Sequence, residues 1–508
     1  MKKLPAFSSF SRLVSFLHLS SSPRCHKAGL PHIAFRAYYY YHCTRCPSRA
    51  QLLPRSLAST SPKTFCTMPI KGFRSKQRST AMDVIEQKPN ATPAEAQARQ
   101  DANFADIESR LPKRFRRTEM GLIDKGTAAL LGSKNPFGKK ATAKDNIVWL
   151  LDNTAYRPVK PGTGDPQPWE AEFVACFFHK GRKDISKHVS AIADIIGLDG
   201  KTGSDEEARK RIEERLRPFI MAIAPARTVE ISIPCPTPDT TPHKRLLGPS
   251  NANGISSQNL LTGGADDADG KTIICTGEEN VFPDLKGNTH FAATEGWGVI
   301  SDIDDTIKVT MTTAPTGILQ STFADIPKTT SGMPEFYKVL DESLKKPAWF
   351  YLSASPYNLY PFLHGFLDEH YPQGTMILRD ASWMSFGGLL QSLTVGVENY
   401  KTDRIEKIHT WLPRRHFICI GDSTQSDPEA YADIYAKYPD WIKAIYIRKV
   451  TDAPHMEDKN KPQRFRDAFK DVPDNVWRVF VDPKELADHV RHVAGVAHAG
   501  MLGNMLSM

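Results

Sequence analysis

The chain of 508 residues carries 66 lysine and arginine residues against 57 aspartate and glutamate residues, which gives a formal net charge of +9. This length accommodates two or three domains with sizeable cores, and the 8 scattered cysteines lack the density of a disulfide-stabilised scaffold. No segment approaches the roughly twenty consecutive apolar residues of a transmembrane helix, so we expect any contact with lipid to be peripheral.

The first 82 residues differ from the rest of the chain in their charge. Met1–Met82 contains fourteen lysine and arginine residues, many serines and no aspartate or glutamate, so the remainder of the chain has a net charge of −5. With an amphipathic stretch over Phe7–Leu19, this composition is typical of a disordered mitochondrial targeting sequence. The alternatives are a leader without function, translation from Met68 or Met82 that leaves the protein cytoplasmic, and a nucleic-acid-binding arm. No other basic face extends such an arm, so we expect no nucleic-acid partner.

Two regions separate this leader from the strongest motifs. Residues 83–145 are charged and rich in alanine, and they predict a linker with one or two helices. Residues 146–292 predict a smaller, β-rich accessory domain that resembles a sandwich, interrupted by a helix over Asp205–Ile223. Its strand patterns are NIVWLL, EAEFVACFF, RTVEISIP and KTIICT. Hydrophobic periodicity does not identify a ligand for this domain.

Residues 293–490 alternate between strand and helix patterns. The predicted strands lie in GVISD, AWFYLS, TMILRD, HFICIGD, AIYIRKV and VWRVFV. This alternation predicts an α/β domain with a Rossmann-like parallel sheet, right-handed crossovers and helices on both faces. No insertion is long enough for a large cap domain, so we expect a small cap or none and an open site. Residues 491–508 form a C-terminal tail.

The first strand of this region runs into two aspartates. Gly298–Val309 reads GVISDIDDTIKV, with Asp302, Asp304 and Thr306 after the apolar residues. Because ligands bind at the carboxyl ends of parallel strands, this pattern places two carboxylates at the edge of a site. Asp302 is suited to attack phosphorus and to help bind a metal ion, while Asp304 lies on the same side of an extended strand and is suited to transfer the proton. The alternative is an acidic loop after a buried strand.

Three later segments supply the other groups that phosphoryl transfer needs. One strand ends at Ser353, a helix over YKTDRIEKIHTWL carries Lys401 in its first turn, and another strand ends at Asp422 before a helix start at Asp427. A lysine in the first turn is unfavourable for the helix dipole, which indicates another role. The alternatives are turn or capping hydroxyls for Ser353 and Thr306, a solvated lysine, and an N-cap for Asp427, which precedes a proline.

These segments, in this order, resemble the four motifs of the haloacid dehalogenase superfamily. The superfamily's aspartate motif corresponds to Asp302, Asp304 and Thr306. Its hydroxyl motif corresponds to Ser353, and its lysine motif to Lys401. Its GDxxxD motif corresponds, in a looser spacing, to Gly421, Asp422 and Asp427. More narrowly, DIDDTIK, YLSASPYNLYPF and IGDSTQSDPE look like the fungal actin patch protein type of Mg²⁺-dependent phosphatidate phosphatase, which is related to lipins. The resemblance spans roughly residues 295–486. Asp305 stands where lipins carry glycine, which weakens the inference of a lipin substrate.

The resemblance implies an enzyme that converts phosphatidate to diacylglycerol through an aspartyl phosphate at Asp302. The implied Mg²⁺ ligands are Asp302, the backbone carbonyl of Asp304, Asp422 and Asp427, and the implied phosphate-binding groups are Thr306, Ser353 and Lys401. Lys401 would also reduce the repulsion between the phosphate and the attacking carboxylate. Two alternatives are a phosphatase for proteins or soluble phosphomonoesters, and a non-catalytic lipid-binding scaffold that keeps the fold.

The segment Trp383–Leu393 mixes large apolar residues with glycines. It predicts an interfacial loop in which Trp383, Phe386, Leu389 and Leu390 make peripheral contact with membrane lipid. The alternative is that these residues fill the core between two strands.

Overall fold

The computed structural model describes residues 91–112, 138–159, 162, 166–181, 184–198, 203–236, 241–380 and 386–495. All of them belong to one compact unit, Arg74–Met508. None of the helices among these residues has the length and apolar character that crossing a bilayer requires. The predictions for residues 1–82, for Trp383 and for residues 496–508 of the tail lie outside the described residues.

Two short helices come first, within the region predicted as a helical linker. They are α1 (Pro93–Asp101) and α2 (Phe104–Arg110). The first begins with a capping box, because the Thr92 hydroxyl accepts from the Glu95 amide and the Glu95 carboxylate accepts from the Thr92 amide. Pro93 at the first helical position adds a fixed φ angle that suits the helix.

Among the residues that the structure describes, ten strands and two helices form the β-rich region. The strands are β1 (Lys139–Lys140), β2 (Asn146–Leu150), β3 (Asn153–Tyr156), β4 (Glu170–His179), β5 (Ala222–Ile223), β6 (Arg227–Ile233), β7 (His243–Leu247), β8 (Ile255–Leu261), β9 (Thr272–Gly277) and β10 (Lys286–Phe291). The helices are α3 (Ser186–Ile195) and α4 (Gly203–Ile220). The four strands and the helix that the sequence predicted are all present, whereas β1, β3, β5, β7, β8, β10 and the helix α3 were missed.

The ten strands are joined by hydrogen bonds into one mixed sheet, so the predicted sandwich of two sheets is replaced by a single curled sheet. Its central strand is β4, which pairs with β3 and β2 along one edge and with β8 and β5 along the other. The ten-residue strand β4 pairs with four other strands, and buried apolar residues of this sheet form a core cluster of their own. The sequence pattern predicts strands, whereas this branching depends on pairings between residues distant in sequence.

The second sheet has six strands, all paired in parallel. They are β11 (Trp297–Asp302), β12 (Ala348–Pro356), β13 (Thr375–Arg379), β14 (His416–Asp422), β15 (Ile442–Arg448) and β16 (Trp477–Phe480), in the spatial order β13-β12-β11-β14-β15-β16. The α/β class is confirmed. Because β12 and β14 both pair with β11, the segments after these three strands meet at one edge of the sheet.

Helices cover this second sheet. They are α5 (Pro315–Leu319), α6 (Met333–Ser343), α7 (Tyr360–His370), α8 (Phe386–Ser392), α9 (Val397–Trp411), α10 (Asp427–Lys437) and α11 (Pro462–Ala468), with a π-helical turn at Gln320–Ala324 and short 3₁₀ turns at Tyr357–Leu359 and Pro483–Leu486. A further 3₁₀ turn, Asp266–Ala268, lies between β8 and β9 of the β-rich region. Buried apolar side chains form one core cluster that includes residues of α3, α4, β11 and α6, and a second that includes residues of β14, α9 and β15.

Polar contacts connect the two sheets. Asp152, in the turn between β2 and β3, accepts a hydrogen bond of 2.9 Å from the His364 ring on α7 and one of 2.7 Å from the Asn288 amide. Burial alone would raise the pKa of Asp152, but the bonds from His364 and Asn288 outweigh burial and lower it. The same bond raises the pKa of His364, with burial opposing. Lys407 on α9 and Glu172 on β4 form a second, buried ion pair between the sheets.

The pair of Asp152 and His364 makes stability dependent on pH. Because the pKa of His364 is raised in the folded protein, protonated His364 stabilises the fold at pH values below its unfolded-state pKa of about 6.5. This stabilisation is lost as the pH rises through the folded-state pKa. We expect His364→Gln to reduce the free energy of unfolding by roughly 1 kcal/mol at about pH 5.5 and by clearly less at about pH 8.5. Denaturant titrations at both pH values measure this difference. His370→Gln is the control on the same helix, with its nearest carboxylate 3.9 Å away, and a pH-independent loss in His364→Gln would refute the assignment.

Candidate active site

The carboxylate of Asp302, the last residue of β11, lies between two neighbours. Its Oδ1 accepts a 2.6 Å hydrogen bond from Lys401 Nζ, and its Oδ2 accepts a 2.8 Å bond from the Thr306 hydroxyl. Lys401 is the fifth residue of α9, one position beyond the predicted first turn, and its side chain is fully buried. A functional role for Lys401 is therefore favoured over that of a solvated surface lysine, since no part of its side chain reaches solvent.

The segment after β14 brings two more carboxylates. Asp422 ends the strand, and the Thr306 hydroxyl lies 3.1 Å from its Oδ2. Asp427 is the first residue of α10, whose N-cap is Ser426, so the alternative of an N-cap role for Asp427 is wrong. Its carboxylate instead accepts from the Asp422 amide at 3.0 Å and pairs with Lys401. A Cβ atom on Gly421 would lie 2.7 Å from the Cβ of Asp427, so this packing requires glycine.

Asp302, Asp422 and Asp427 each direct a carboxylate oxygen into one cluster, in which these atoms lie within 4.8 Å of one another. Burial raises the pKa of Asp302 well above its usual value; Lys401 opposes this shift, and Asp427, Asp422 and Asp304 reinforce it. Burial and then Asp427 raise the pKa of Asp422 in the same way. One ammonium group faces three carboxylates, so the cluster retains negative charge that a cation would compensate.

Asp304 belongs to a second, adjacent set of contacts. Its Oδ2 accepts from the Ser353 hydroxyl at 2.5 Å and from the Ser355 hydroxyl at 3.3 Å, and its Oδ1 accepts from Thr310 at 2.9 Å. The carboxylate is not among the three that converge in the first cluster. Ser353, predicted to bind phosphate, therefore contacts the aspartate predicted to transfer the proton.

Asp305 makes the local hydrogen bonds that the sequence indicated. Its carboxylate accepts from the amides of Thr310, Met311 and Thr312 at 2.7 to 2.8 Å, and from the Thr312 hydroxyl at 2.6 Å. Its φ angle is 64°, in the left-handed region that glycine adopts most readily and that aspartate tolerates better than most residues. The glycine of the related pattern and the aspartate here are thus both compatible with this backbone.

Lys308, which no motif in the sequence marks, is 1 % exposed beside the site. Its Nζ donates to the Thr310 hydroxyl at 3.0 Å, and that hydroxyl contacts Asp304. Burial lowers the pKa of Lys308, with Asp304 and Asp305 opposing. The only signal in the sequence is that the lysine follows the aspartate motif by two residues, because the loop geometry that turns it inward has no periodic pattern.

The predicted site residues are buried in the structure. The seven predicted side chains are each at most 3 % exposed: Asp302, Asp304, Thr306, Ser353, Lys401, Asp422 and Asp427. Leu389 and Leu390, predicted to contact lipid, are fully buried in the core, so the core-filling alternative is confirmed for them. The side chain of Phe386, like all of Trp383, lies outside the described residues.

Comparison with known proteins supports the resemblance over the part of the chain that holds these residues. Residues 297–449 match the family model described as the catalytic domain of phosphatidate phosphatase APP1. Phosphatidate phosphatase APP1 of Saccharomyces cerevisiae is 31% identical over 180 residues, and an uncharacterized protein of Schizosaccharomyces pombe is 28% identical over 180 residues. Each match covers 34% of this chain and 29% of the relative. The predicted similarity to the actin patch protein type is confirmed for this segment, while the chain spans less than a third of the length of either relative.

The buried charges make Lys401 important for stability. We expect Lys401→Met to lower the free energy of unfolding by about 3–5 kcal/mol, because it leaves buried carboxylates without their cation. Lys437→Met is the matched control, since Lys437 pairs with Glu406 on the surface and its loss is expected to cost less than about 1 kcal/mol. Urea denaturation of both variants at neutral pH makes the comparison, and equal losses would contradict the assigned role of Lys401.

Proposed function

We propose that this chain is a Mg²⁺-dependent phosphatidate phosphatase of haloacid dehalogenase type. It would convert phosphatidate to diacylglycerol through an aspartyl phosphate on Asp302. The observation that carries the proposal is the buried cluster of Asp302, Asp422, Asp427 and Lys401 at the carboxyl ends of β11 and β14. This cluster lies within the segment that matches the APP1 catalytic domain.

The residues of the cluster fit a magnesium ion. Mg²⁺ prefers one or two carboxylates together with substrate phosphate and water, and three carboxylate oxygens converge here within 4.8 Å. Asp302 and Asp422 would hold the ion with the backbone carbonyl of Asp304, and Asp427, whose oxygens engage Lys401 and the Asp422 amide, would support them. When bound, the ion neutralises charge on the phosphoryl oxygens.

The side chains then divide the chemistry between them. In the first step an Asp302 oxygen attacks phosphorus, the bond from phosphorus to the alcohol oxygen breaks, and Asp304 protonates that oxygen. In the second step Asp304 takes a proton from water, whose oxygen attacks phosphorus and releases phosphate and the Asp302 carboxylate. Lys401 would offset the phosphoryl charge, and Thr306 and Ser353 would orient its oxygens.

The burial of the site residues favours a second candidate. With every predicted catalytic side chain buried, a small soluble phosphomonoester would reach Asp302 with less rearrangement than a lipid in a bilayer. We retain phosphatidate as the substrate because the relative at 31% identity is named for it.

Substituting the nucleophile tests the reaction. We expect Asp302→Asn to abolish phosphate release from phosphatidate in detergent micelles, because an amide is a poor nucleophile and a poorer metal ligand. The fold should survive, since the two side chains have nearly the same shape. Asp433→Asn on the exposed face of α10 is the control and should keep full activity.

The same assay tests whether the enzyme needs Mg²⁺ and which substrate it prefers. Removing Mg²⁺ with a chelator should abolish turnover, and adding it back should restore it. Phosphate release that persists in Asp302→Asn would refute the assignment of Asp302 as the nucleophile. Faster turnover of phosphopeptides or soluble phosphomonoesters than of phosphatidate by the wild type would favour the second candidate.

We also propose that residues 1–82 direct the protein to mitochondria. The support is their acid-free, basic and serine-rich composition. Fused to a fluorescent reporter, residues 1–82 should carry it to mitochondria, while deleting them should leave an active enzyme. A reporter that stays diffuse in the cytosol would refute the proposal and favour translation from Met68 or Met82.

A further inference from the structure

The buried lysine in the loop after β11 has a contact that the proposed chemistry does not yet use. The Nζ atom of Lys308 donates to the Thr310 hydroxyl at 3.0 Å and to the Val309 carbonyl at 3.4 Å. The Phe362 ring of α7 lies 5.6 Å from the same atom. Lys308 forms no ion pair with a carboxylate of the described residues, although its side chain is almost completely buried. Burying an ammonium group without an ion pair is unfavourable, so its contact with Thr310 calls for a role beyond filling space.

The ammonium group determines the direction of the Thr310 hydroxyl. An ammonium group only donates hydrogen bonds, so the Thr310 oxygen accepts from Lys308, and its single hydrogen is left for one other acceptor. The two acceptors within reach are Asp304 Oδ1 at 2.9 Å and the Lys308 carbonyl at 3.3 Å. The shorter distance and the charge of the carboxylate both favour Asp304. Lys308 thus acts on Asp304 through one hydroxyl and does not pair with it directly.

The position of Thr310 does not depend on Lys308. The Thr310 amide donates to Asp305 Oδ1 at 2.8 Å, and the Thr310 carbonyl accepts from the Ser321 hydroxyl at 2.6 Å. The residue is also fully buried, so its neighbours hold it on all sides. Removing the Lys308 ammonium group would therefore leave Thr310 in place and free its hydroxyl to rotate away from Asp304 toward the Lys308 carbonyl.

The other oxygen of Asp304 has different surroundings. Oδ2 accepts from the Ser353 hydroxyl at 2.5 Å and from the Ser355 hydroxyl at 3.3 Å. A neutral hydroxyl can accept as well as donate, so Oδ2 can carry a proton without losing its partners, whereas the hydrogen of the Thr310 hydroxyl already points toward Oδ1. Ser353 is the residue proposed to orient a phosphoryl oxygen, so the proposed substrate position is on the side of Oδ2.

We propose that Lys308 is a positioning residue for proton transfer, which acts through Thr310 to hold Asp304 Oδ1 as an acceptor and leave Oδ2 to carry the proton. The proposal rests on the proposed function, in which Asp304 is the acid and the base. In the first step the proton leaves Oδ2 and bonds to the alcohol oxygen, while the bond from phosphorus to that oxygen breaks and Asp302 bonds to phosphorus. In the second step the attacking water returns a proton to Oδ2. Lys308 itself touches neither the substrate nor the reacting atoms.

The test separates proton transfer from the rest of catalysis by changing the group that leaves. Benzyl phosphate and p-nitrophenyl phosphate each carry one aromatic ring, but benzyl alcohol has to be protonated as it leaves, whereas p-nitrophenolate is stable as an anion. On the full chain with Mg²⁺, kcat/KM is measured for each ester, because this parameter covers the steps up to release of the leaving group. We expect Lys308→Met to lower kcat/KM about tenfold for benzyl phosphate and less than about twofold for p-nitrophenyl phosphate. Dioctanoyl phosphatidate, whose glycerol oxygen also leaves as an alcohol, should follow benzyl phosphate.

Two further variants calibrate this measurement. Asp304→Asn removes the acid itself, so we expect it to lower the ratio of the benzyl to the p-nitrophenyl value by more, about 100-fold. Lys338→Met replaces an exposed lysine of α6 and should leave both values unchanged. Methionine has nearly the length of lysine and no charge, so it should fill the space of a buried lysine that has no ion pair and preserve the fold.

Thr310→Val interrupts the same contacts one residue closer to Asp304 and decides the case if Lys308→Met does not fold. It keeps the side-chain shape and removes the hydroxyl, so we expect it to lower the ratio as much as Lys308→Met does, and the double variant to lower it no further. Equal losses on both esters in Lys308→Met, an unchanged ratio in Thr310→Val, or losses that multiply in the double variant would each overturn the proposal. Failure of the proposed function looks different, because the wild type would then release no phosphate from dioctanoyl phosphatidate, whatever the ratio for the two aromatic esters.

Discussion

The ion pairs of Lys401 with Asp302 and Asp427 are the interaction on which the site depends. Burying an isolated charge costs several kcal/mol, and this cluster buries three carboxylates around one ammonium group. The lysine comes from α9, and its two partners come from β11 and α10, so three elements must be placed correctly for any of the charges to be paired. The fold is therefore constrained most strongly where the chemistry is proposed to occur.

Two aspartates separated by one residue have different surroundings, and this difference separates their proposed roles. Asp302 faces a lysine and two carboxylates, whereas Asp304 is held by the hydroxyls of Ser353, Ser355 and Thr310. A nucleophile benefits from a nearby cation, and a group that gives and takes a proton benefits from neutral partners. The parallel register supports this arrangement, since Asp302 pairs with Leu352, the residue before Ser353.

The sequence predicts those parts of the fold and site that follow from local pattern. Apolar runs ending in Asp302, Ser353 and Asp422 predict strands with polar ends, and the parallel sheet brings the three ends together. Lys308 could not be predicted, because a loop with no periodicity turns it inward. The curled sheet around β4 and the burial of Leu389 also depend on contacts distant in sequence, and a short apolar stretch has the same composition in a core as at a membrane surface.

The contact between Glu95 and the start of α9 limits how far properties of the relatives apply to this chain. The matched segment, residues 297–449, contains the carboxylates, the lysine and the hydroxyls, so the reaction chemistry can be compared directly. Helix α1 lies outside that segment, and its Glu95 accepts a 3.2 Å hydrogen bond from the Gly396 amide at the start of α9, the helix that carries Lys401. A relative that shares only the matched segment therefore bears on the proposed reaction, and it does not test the contacts between α1 and α9.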